Sequence, residues 1–383
     1  MIFRTPKLQS DDLRVLELLR TQRAQLRHRV NQNPNRWTGL LRRNTFARAV
    51  QGSNTIEGYN ATVDEASQII DLEKPDSVEE ETYRAISGYR QAMTYILQVS
   101  DDPHFDLNAQ FIKSLHFMMM SYDLTKLPGQ WRPGYVAVVH EPTGETVYEG
   151  PEAEFVPNLI DDMISQINDA NEESRTVRAA MAHLNLTLIH PFKDGNGRMA
   201  RALQTLVMAR EGIMSPVFCS IEEWLGRNTL AYYDILAKVG AGAWHPTNDA
   251  LPWVQFCFRA HYQQAATIIK RHTEIGQLWE VVDTLIKKLG LNPRMEIALL
   301  DAALDFRVRN QRYREDNEIS NQVASRDLKT LCDHGLLEAV GDKRGRYYTA
   351  GRPLKEIREK TREKSKAKDP YDVIADLAQP TFI

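Results

Sequence analysis

The chain has 383 residues, with 48 Lys and Arg against 51 Asp and Glu and a formal net charge of −3. That length exceeds one small core and suggests two or three domains, and the near-neutral balance argues against a protein that coats nucleic acid over its whole surface. Its 42% apolar content is ordinary for a globular chain, and no run reaches the roughly 18 apolar residues of a membrane span. Cys219, Cys257 and Cys332 lie far apart without C-x-x-C spacing, as expected in a reducing compartment rather than in a disulfide framework or zinc site. The N-terminus shows no apolar signal core, so a cytoplasmic location is expected.

Helical periodicity covers 11–35, with a basic polar face, and 41–52, running into Ser53-Asn-Thr-Ile-Glu57-Gly58. After a loop at Lys74, Ser77-x-x-Glu80 reads as a capping box opening a helix through Leu97. Another helix covers 107–122, followed by a turn-rich stretch at Pro128–Gly134. Tyr135–His140 and Thr146–Tyr148 are β-prone around a turn starting at Glu141, which predicts a β-hairpin in an otherwise helical chain. Helices resume over 152–169 and 174–189. The second carries Val177, Ala180, Met181, Leu184 and Leu188 on one stripe, as a packed core helix does.

Further helices are predicted over 198–210, 221–239, 250–273, 276–289 and 294–305. A helix from Ser320 to Gly335 and two short strands within Leu336–Thr349 then suggest a winged helix-turn-helix. The tail from Lys355 to Asp369 alternates charges and is expected to be a solvated helix or partly disordered.

The chemistry is concentrated in His190-Pro-Phe-Lys-Asp-Gly-Asn-Gly-Arg-Met-Ala-Arg201. Asp194-Gly-Asn-Gly forms a turn between a helix ending near Ile189 and one beginning near Asn196, where glycines permit positive φ and close ligand approach. The new helix offers free N–H groups to an anion. Arg198 and Arg201 lie one turn apart and oppose its macrodipole, which makes sense if a polyphosphate binds there. Asp194 supplies a hard oxygen for Mg²⁺. His190 has the chemistry to take a proton from a hydroxyl attacking phosphorus. Phe192 is expected to anchor the loop in the core. His183 reads as a core histidine, Met118–Met120 as apolar filler, and Trp244 and His245 as structural.

This stretch fills every fixed position of the Fic (fido) signature H-x-F-x-[DE]-G-N-G-R-x-x-R, and the resemblance extends over roughly 75–262. The resemblance implies a mainly α fold, a Fic-type helical bundle with a β-hairpin flap, that transfers AMP from ATP to a hydroxyl side chain of a target protein. It implies His190 as general base and Asp194 as the Mg²⁺ ligand. Gly195, Asn196 and Gly197 would hold the α- and β-phosphates, and Arg198 and Arg201 the β- and γ-phosphates. The hairpin at 135–148 resembles the family's flap, with Val136 to Val139, Val138 and Val139 chief among them, lining nucleotide and target. Tyr232 and Tyr233 stand where relatives carry a tyrosine pair beside the nucleotide.

Ser53-x-x-x-Glu57-Gly58 matches the family's inhibitory pattern, with Glu57 expected to pair with Arg201 in place of the γ-phosphate. The organisation read from this is an N-terminal helical region over 1–75, a Fic domain over 76–262, a winged helix over 275–350 and a charged tail over 351–383. The winged helix raises an alternative, a DNA-binding regulator with Arg326 and Lys329 on the recognition helix and Lys343, Arg344 and Arg346 on the wing. Against it, residues 277–350 carry twelve Lys and Arg and twelve Asp and Glu, so no basic footprint. Activity mainly in AMP removal, or with another nucleotide, also stays open. The target protein is unknown, and self-modification and a homodimer are open.

Overall fold

In the computed structural model, residues 1–31, 35–140, 144–169, 174–210, 212, 215–342 and 345–378 are described. They fall into two units: Met1–Asn33, Arg42–Ile268 and Ala367–Ile383 form one, and Pro34–Leu41 with Ile269–Lys366 the other. No helix among the described residues is long and apolar enough to cross a membrane.

The first unit begins with α1 (Ser10–Asn31) and α2 (Asn35–Ile56), so Ser53 lies inside a helix and Glu57 just past its end. The next helix, α3 (Val63–Ile70), was not expected from the sequence. It carries the capping box assigned to Ser77: the Thr62 side chain accepts from Glu65 N, and Glu65 accepts from Thr62 N. Ser77 instead donates to Glu65 Oε1, and α4 (Glu80–Val99) starts without a side-chain cap. After α5 (Ala109–Met120), β1 (Ala137–His140) and β2 (Glu145–Glu149) form the expected antiparallel hairpin, with a bulge between Val138 and Val139. Its predicted turn residues Glu141 to Thr143 lie outside the described residues.

The helices α6 (Val156–Asn168), α7 (Arg175–Ile189) and α8 (Asn196–Ala209) make the centre of the unit. The predicted stripe on α7 is buried throughout: Val177, Ala180, Met181, Leu184 and Leu188 belong to a core cluster with Trp253, Val254 and Phe258. The helix predicted over 221–239 is two, α9 (Glu222–Arg227) and α10 (Thr229–Gly240), broken at Asn228. Two glycines explain how α9 meets α2. A Cβ on Gly52 would lie 2.6 Å from Glu222 O, and one on Gly226 would lie 2.9 Å from Gly52 Cα. This bare backbone contact seats Ser53 and Glu57 over α8.

The helices predicted over 250–273 and 276–289 are one, α11 (Leu251–Leu289). Gly276 costs about 1 kcal/mol in a helix interior, but Ile268, Ile275, Leu278, Val282 and Ile286 continue a buried stripe past it. Burial outweighs propensity here.

In the second unit, α12 (Glu296–Ala303), α13 (Asn310–Asp316) and α14 (Asn321–Asp333) precede an antiparallel pair, β3 (Leu337–Val340) and β4 (Tyr347–Ala350). Arg294 reaches buried Asp327 with two N–H groups at 2.6 and 3.0 Å, and Tyr313 OH adds a third bond. The tail follows the expectation of a largely solvated helix, with no regular structure over 362–369. In α15 (Arg352–Thr361), Leu354 is buried and Arg358 pairs with Glu274. In the first unit, α16 (Pro370–Ala378) packs on α1, and Tyr371 OH donates to Asp12 at 2.8 Å.

Candidate active site

The loop between α7 and α8 is held from below by aromatic packing. Phe192 is fully buried and stacks on His116 at 3.7 Å, with Trp131 on its other side. His116 accepts from Gly129 N at Nδ1, so its Nε2–H donates to Asp194 O at 3.0 Å. Burial lowers the His116 pKa to about 4, which keeps it neutral in this role. Nothing in the sequence marked His116, which comes 78 residues earlier. The Asn196 side chain is spent on the loop, accepting from Phe192 N and donating to Phe192 O, both at 2.9 Å. Only its backbone N–H can therefore serve an anion, together with those of Gly197 and Arg198 in the first turn of α8.

His190 ends α7 in the left-handed region (φ 50°), which turns its side chain out of the helix. Its Nδ1 lies 3.2 Å from Thr187 O. A carbonyl only accepts, so Nδ1 carries the proton and Nε2 keeps its lone pair. Burial lowers the His190 pKa below its ordinary 6.5, so the neutral imidazole is held at neutral pH. Asp194 accepts from Gly195 N at 2.6 Å and meets Lys126 Nζ at 3.0 Å. Burial works to raise the Asp194 pKa, but Lys126 outweighs it and the carboxyl stays below its usual range. Gly195 suits its place because its φ is 75°, and a Cβ there would press on Met120 Sδ at 3.0 Å.

Arg198 and Arg201 are both 1% exposed, so this is no solvated pair. Arg198 donates to Met120 Sδ and lies 5.0 Å from the centre of the Tyr59 ring. Its Nε and Nη1 have no hydrogen-bond partner among the described residues, and neither does Arg201 Nη1. Arg201 donates to Ser53 Oγ (2.8 Å), Ser53 O (3.0 Å) and Glu57 Oε1 (2.6 Å). Glu57 Oε1 also lies only 2.4 Å from where a Gly197 Cβ would stand, so the carboxylate covers the start of α8. A carboxylate at the C-terminal end of α2 opposes that helix's dipole. Gly58 makes the turn with φ 84°.

The tyrosine pair divides. Tyr232 is a packed core residue, 1% exposed, with its hydroxyl 2.9 Å from His183 Nε2. Tyr233 is half exposed and donates to Ile56 O, one residue before Glu57. Val138 packs against the core cluster, while Val139 is exposed on the flap. The core role expected for His183 holds, since its Nδ1 also bonds Gln204.

Beneath Arg201 sits a group the sequence did not flag. Glu222 is fully buried, and its Oε2 has no hydrogen-bond partner among the described residues. Burial pushes its carboxyl up to about 7, although Tyr89, Arg201, Thr205 and Ser220 pull it down. The native state then keeps a proton that the unfolded chain releases above about pH 4.5. This contribution to stability is complete below pH 4.5 and is lost as pH rises to about 7, on the order of 3 kcal/mol in all. Glu222→Gln is expected to flatten that slope in urea melts at pH 5 and 8. An unchanged slope would mean that Glu222 is ionised throughout.

The site thus sits in a helical bundle, with a hairpin beside the start of α8. Residues 106–208 match the family model described as Fic/DOC family. Over 73 residues it is 44% identical to protein adenylyltransferase fic-1 of Caenorhabditis elegans, covering 18% of this chain and 14% of that protein. Over 254 residues it is 29% identical to protein adenylyltransferase Fic of Drosophila sechellia, covering 65% and 47%. The chain thus spans less than half the length of these curated relatives. A solved Fic family protein from Desulfovibrio desulfuricans G20 shares the fold, with TM-score 0.55 and 19% identity over 91% of this chain and 99% of that one. The C. elegans Fic-1 structure gives 0.54 and 23%, over 68% and 71%.

Proposed function

We propose that this protein is an adenylyltransferase that passes AMP from ATP to a hydroxyl side chain of a target protein or of itself. The observation that carries this reading is the pair of buried arginines on α8 whose idle N–H groups lie beside free helix-start amides. Buried donors without partners are costly, and a polyphosphate satisfies them together. The acceptor oxygen bonds to the α-phosphorus as His190 Nε2 takes its proton. The bond from the α-phosphorus to the bridging oxygen breaks, and pyrophosphate leaves against Arg198 and Arg201. Preorganised charge does most of the work in such a transfer.

Asp194 suits a magnesium ion that arrives with the phosphates. It is one ionised carboxylate, and no cluster of three or more His, Cys, Asp or Glu stands ready as a metal cage among the described residues. Bound there, the ion would neutralise phosphate charge. The outer edge of β1, with Val139 exposed, is open to a target segment adding as a strand. Glu57 is the brake, because its carboxylate takes Arg201 and covers Gly197 where the terminal phosphate would lie.

Intact-mass measurement after incubation with ATP and magnesium tests the reading. Glu57→Gly should gain the mass of AMP or label lysate proteins, and a variant that does neither sinks it.

For the second unit, we read α13, α14, β3 and β4 as a winged helix that serves protein contact rather than DNA. Its cations are locally neutralised: Lys329 pairs with Asp333 at 2.8 Å, and Arg346 lies 3.7 Å from Asp342. Arg326 is exposed, while Lys343 and Arg344 lie outside the described residues. The full chain should therefore give no gel shift with duplex DNA at low salt; a salt-sensitive shift would restore the DNA-binding alternative.

A further inference from the structure

Arg132 is 4% exposed, and although the Glu152 carboxylate acts on it through its charge, all the hydrogen bonds of its side chain among the described residues go elsewhere. Its guanidinium is spent on backbone carbonyls alone. Nε donates to His190 O at 2.8 Å, Nη1 to Gly134 O at 2.5 Å, and Nη2 to Pro151 O. Its own N–H donates to Pro191 O at 2.9 Å. Gly134 precedes β1 and Pro151 follows β2, so one planar group grips both roots of the hairpin and the residue proposed as base. Burial of this cation outweighs the help of the Glu152 charge and lowers its pKa, and its field also disfavours a proton on His190. Stability alone gives no reason to place a charge here. What the fork supplies is geometry: three donors in one plane fix three chain segments at set distances.

We propose that Arg132 is a positioning residue that sets the spacing between the flap and His190, and so aligns an acceptor hydroxyl lying along β1 with the imidazole. This rests on the adenylyl-transfer reading above. Water needs no flap to reach the α-phosphorus, so loss of Arg132 should separate transfer to protein from transfer to water.

The test uses the full chain carrying Glu57→Gly, with ATP labelled at the α-phosphate, and follows label in protein and AMP released to water. Adding Arg132→Gln should cut protein labelling by about tenfold or more, as a displacement near 1 Å does. The ATP KM and release to water should stay within about threefold of the Glu57→Gly protein. Arg132→Lys, which keeps the charge but not the fork, should fall between and guards against misfolding of the glutamine variant. The proposal is overturned if labelling persists in both variants, or if labelling, water release and ATP KM deteriorate together, as a merely structural role predicts. If Glu57→Gly alone transfers no AMP, the underlying reading fails first and takes this one with it.

Discussion

His190→Ala is expected to lower AMP transfer by about 10²- to 10⁴-fold, the usual worth of a positioned general base. The expectation follows from the tautomer. Thr187 O holds the proton on Nδ1, so Nε2 is the only basic position of the ring, and burial keeps it unprotonated. The affinity for ATP should hardly change, because the phosphate-facing groups lie on α8. Alanine at φ 50° carries the same Cβ penalty that histidine already does. Asparagine favours that conformation, so His190→Asn should lose activity equally and control for any backbone change. In active protein the rate should stay level down to pH 6.5 and fall only below it, since the pKa of His190 is depressed. A rate already falling above pH 6.5 would mean that the imidazole is not the base. Labelled transfer by the two variants across pH makes both checks.

Glu57→Gly is expected to raise transfer by about 10- to 100-fold, since a charge-assisted hydrogen bond contributes about 1.5–3 kcal/mol. The substitution frees one N–H of Arg201 Nη2 and clears the space above Gly197, while both contacts to Ser53 remain. It should also destabilise the protein. Arg201 is fully buried, and removing its carboxylate leaves a charge satisfied only by neutral oxygens. Because Glu57 is a quarter exposed, the loss is about 1–3 kcal/mol rather than the larger figure for a fully buried pair. ATP with magnesium should then raise the melting temperature more in the variant than in the native chain, because the ligand replaces the lost anion. Equal shifts in both would show that Glu57 does not compete with the nucleotide.

Much of the local structure was legible. The ends of α7 and α8 were readable because an apolar stripe stops at Ile189 and the glycine turn follows at once. The hairpin stood out as β-prone residues among helical ones. Two errors share one cause: local propensity was allowed to decide where packing does. Helices expected over 250–273 and 276–289 are one, and one expected over 221–239 is two, divided at Asn228. The capping box went to Ser77 because two segments carried the same short pattern, and only the partner of each hydroxyl tells them apart.

The dozen residues from His190 to Arg201 needed no fold to be read, because a base, a carboxylate, a glycine turn and two cations at fixed short spacing already define what they can bind. Who meets them was decided by the tertiary structure. Glu57 reaches Arg201 across 144 residues, Arg132 reaches His190 across 58, and Lys126 comes to Asp194 through a short turn with no signature of its own. Tyr232, half of a pair that relatives carry, is buried in the core, while Tyr233 beside it stays exposed. Spacing along a chain specifies contacts only within a turn or two of helix. Beyond that, bare backbone contacts such as Gly52 on Gly226 and the burial of charge choose the partners.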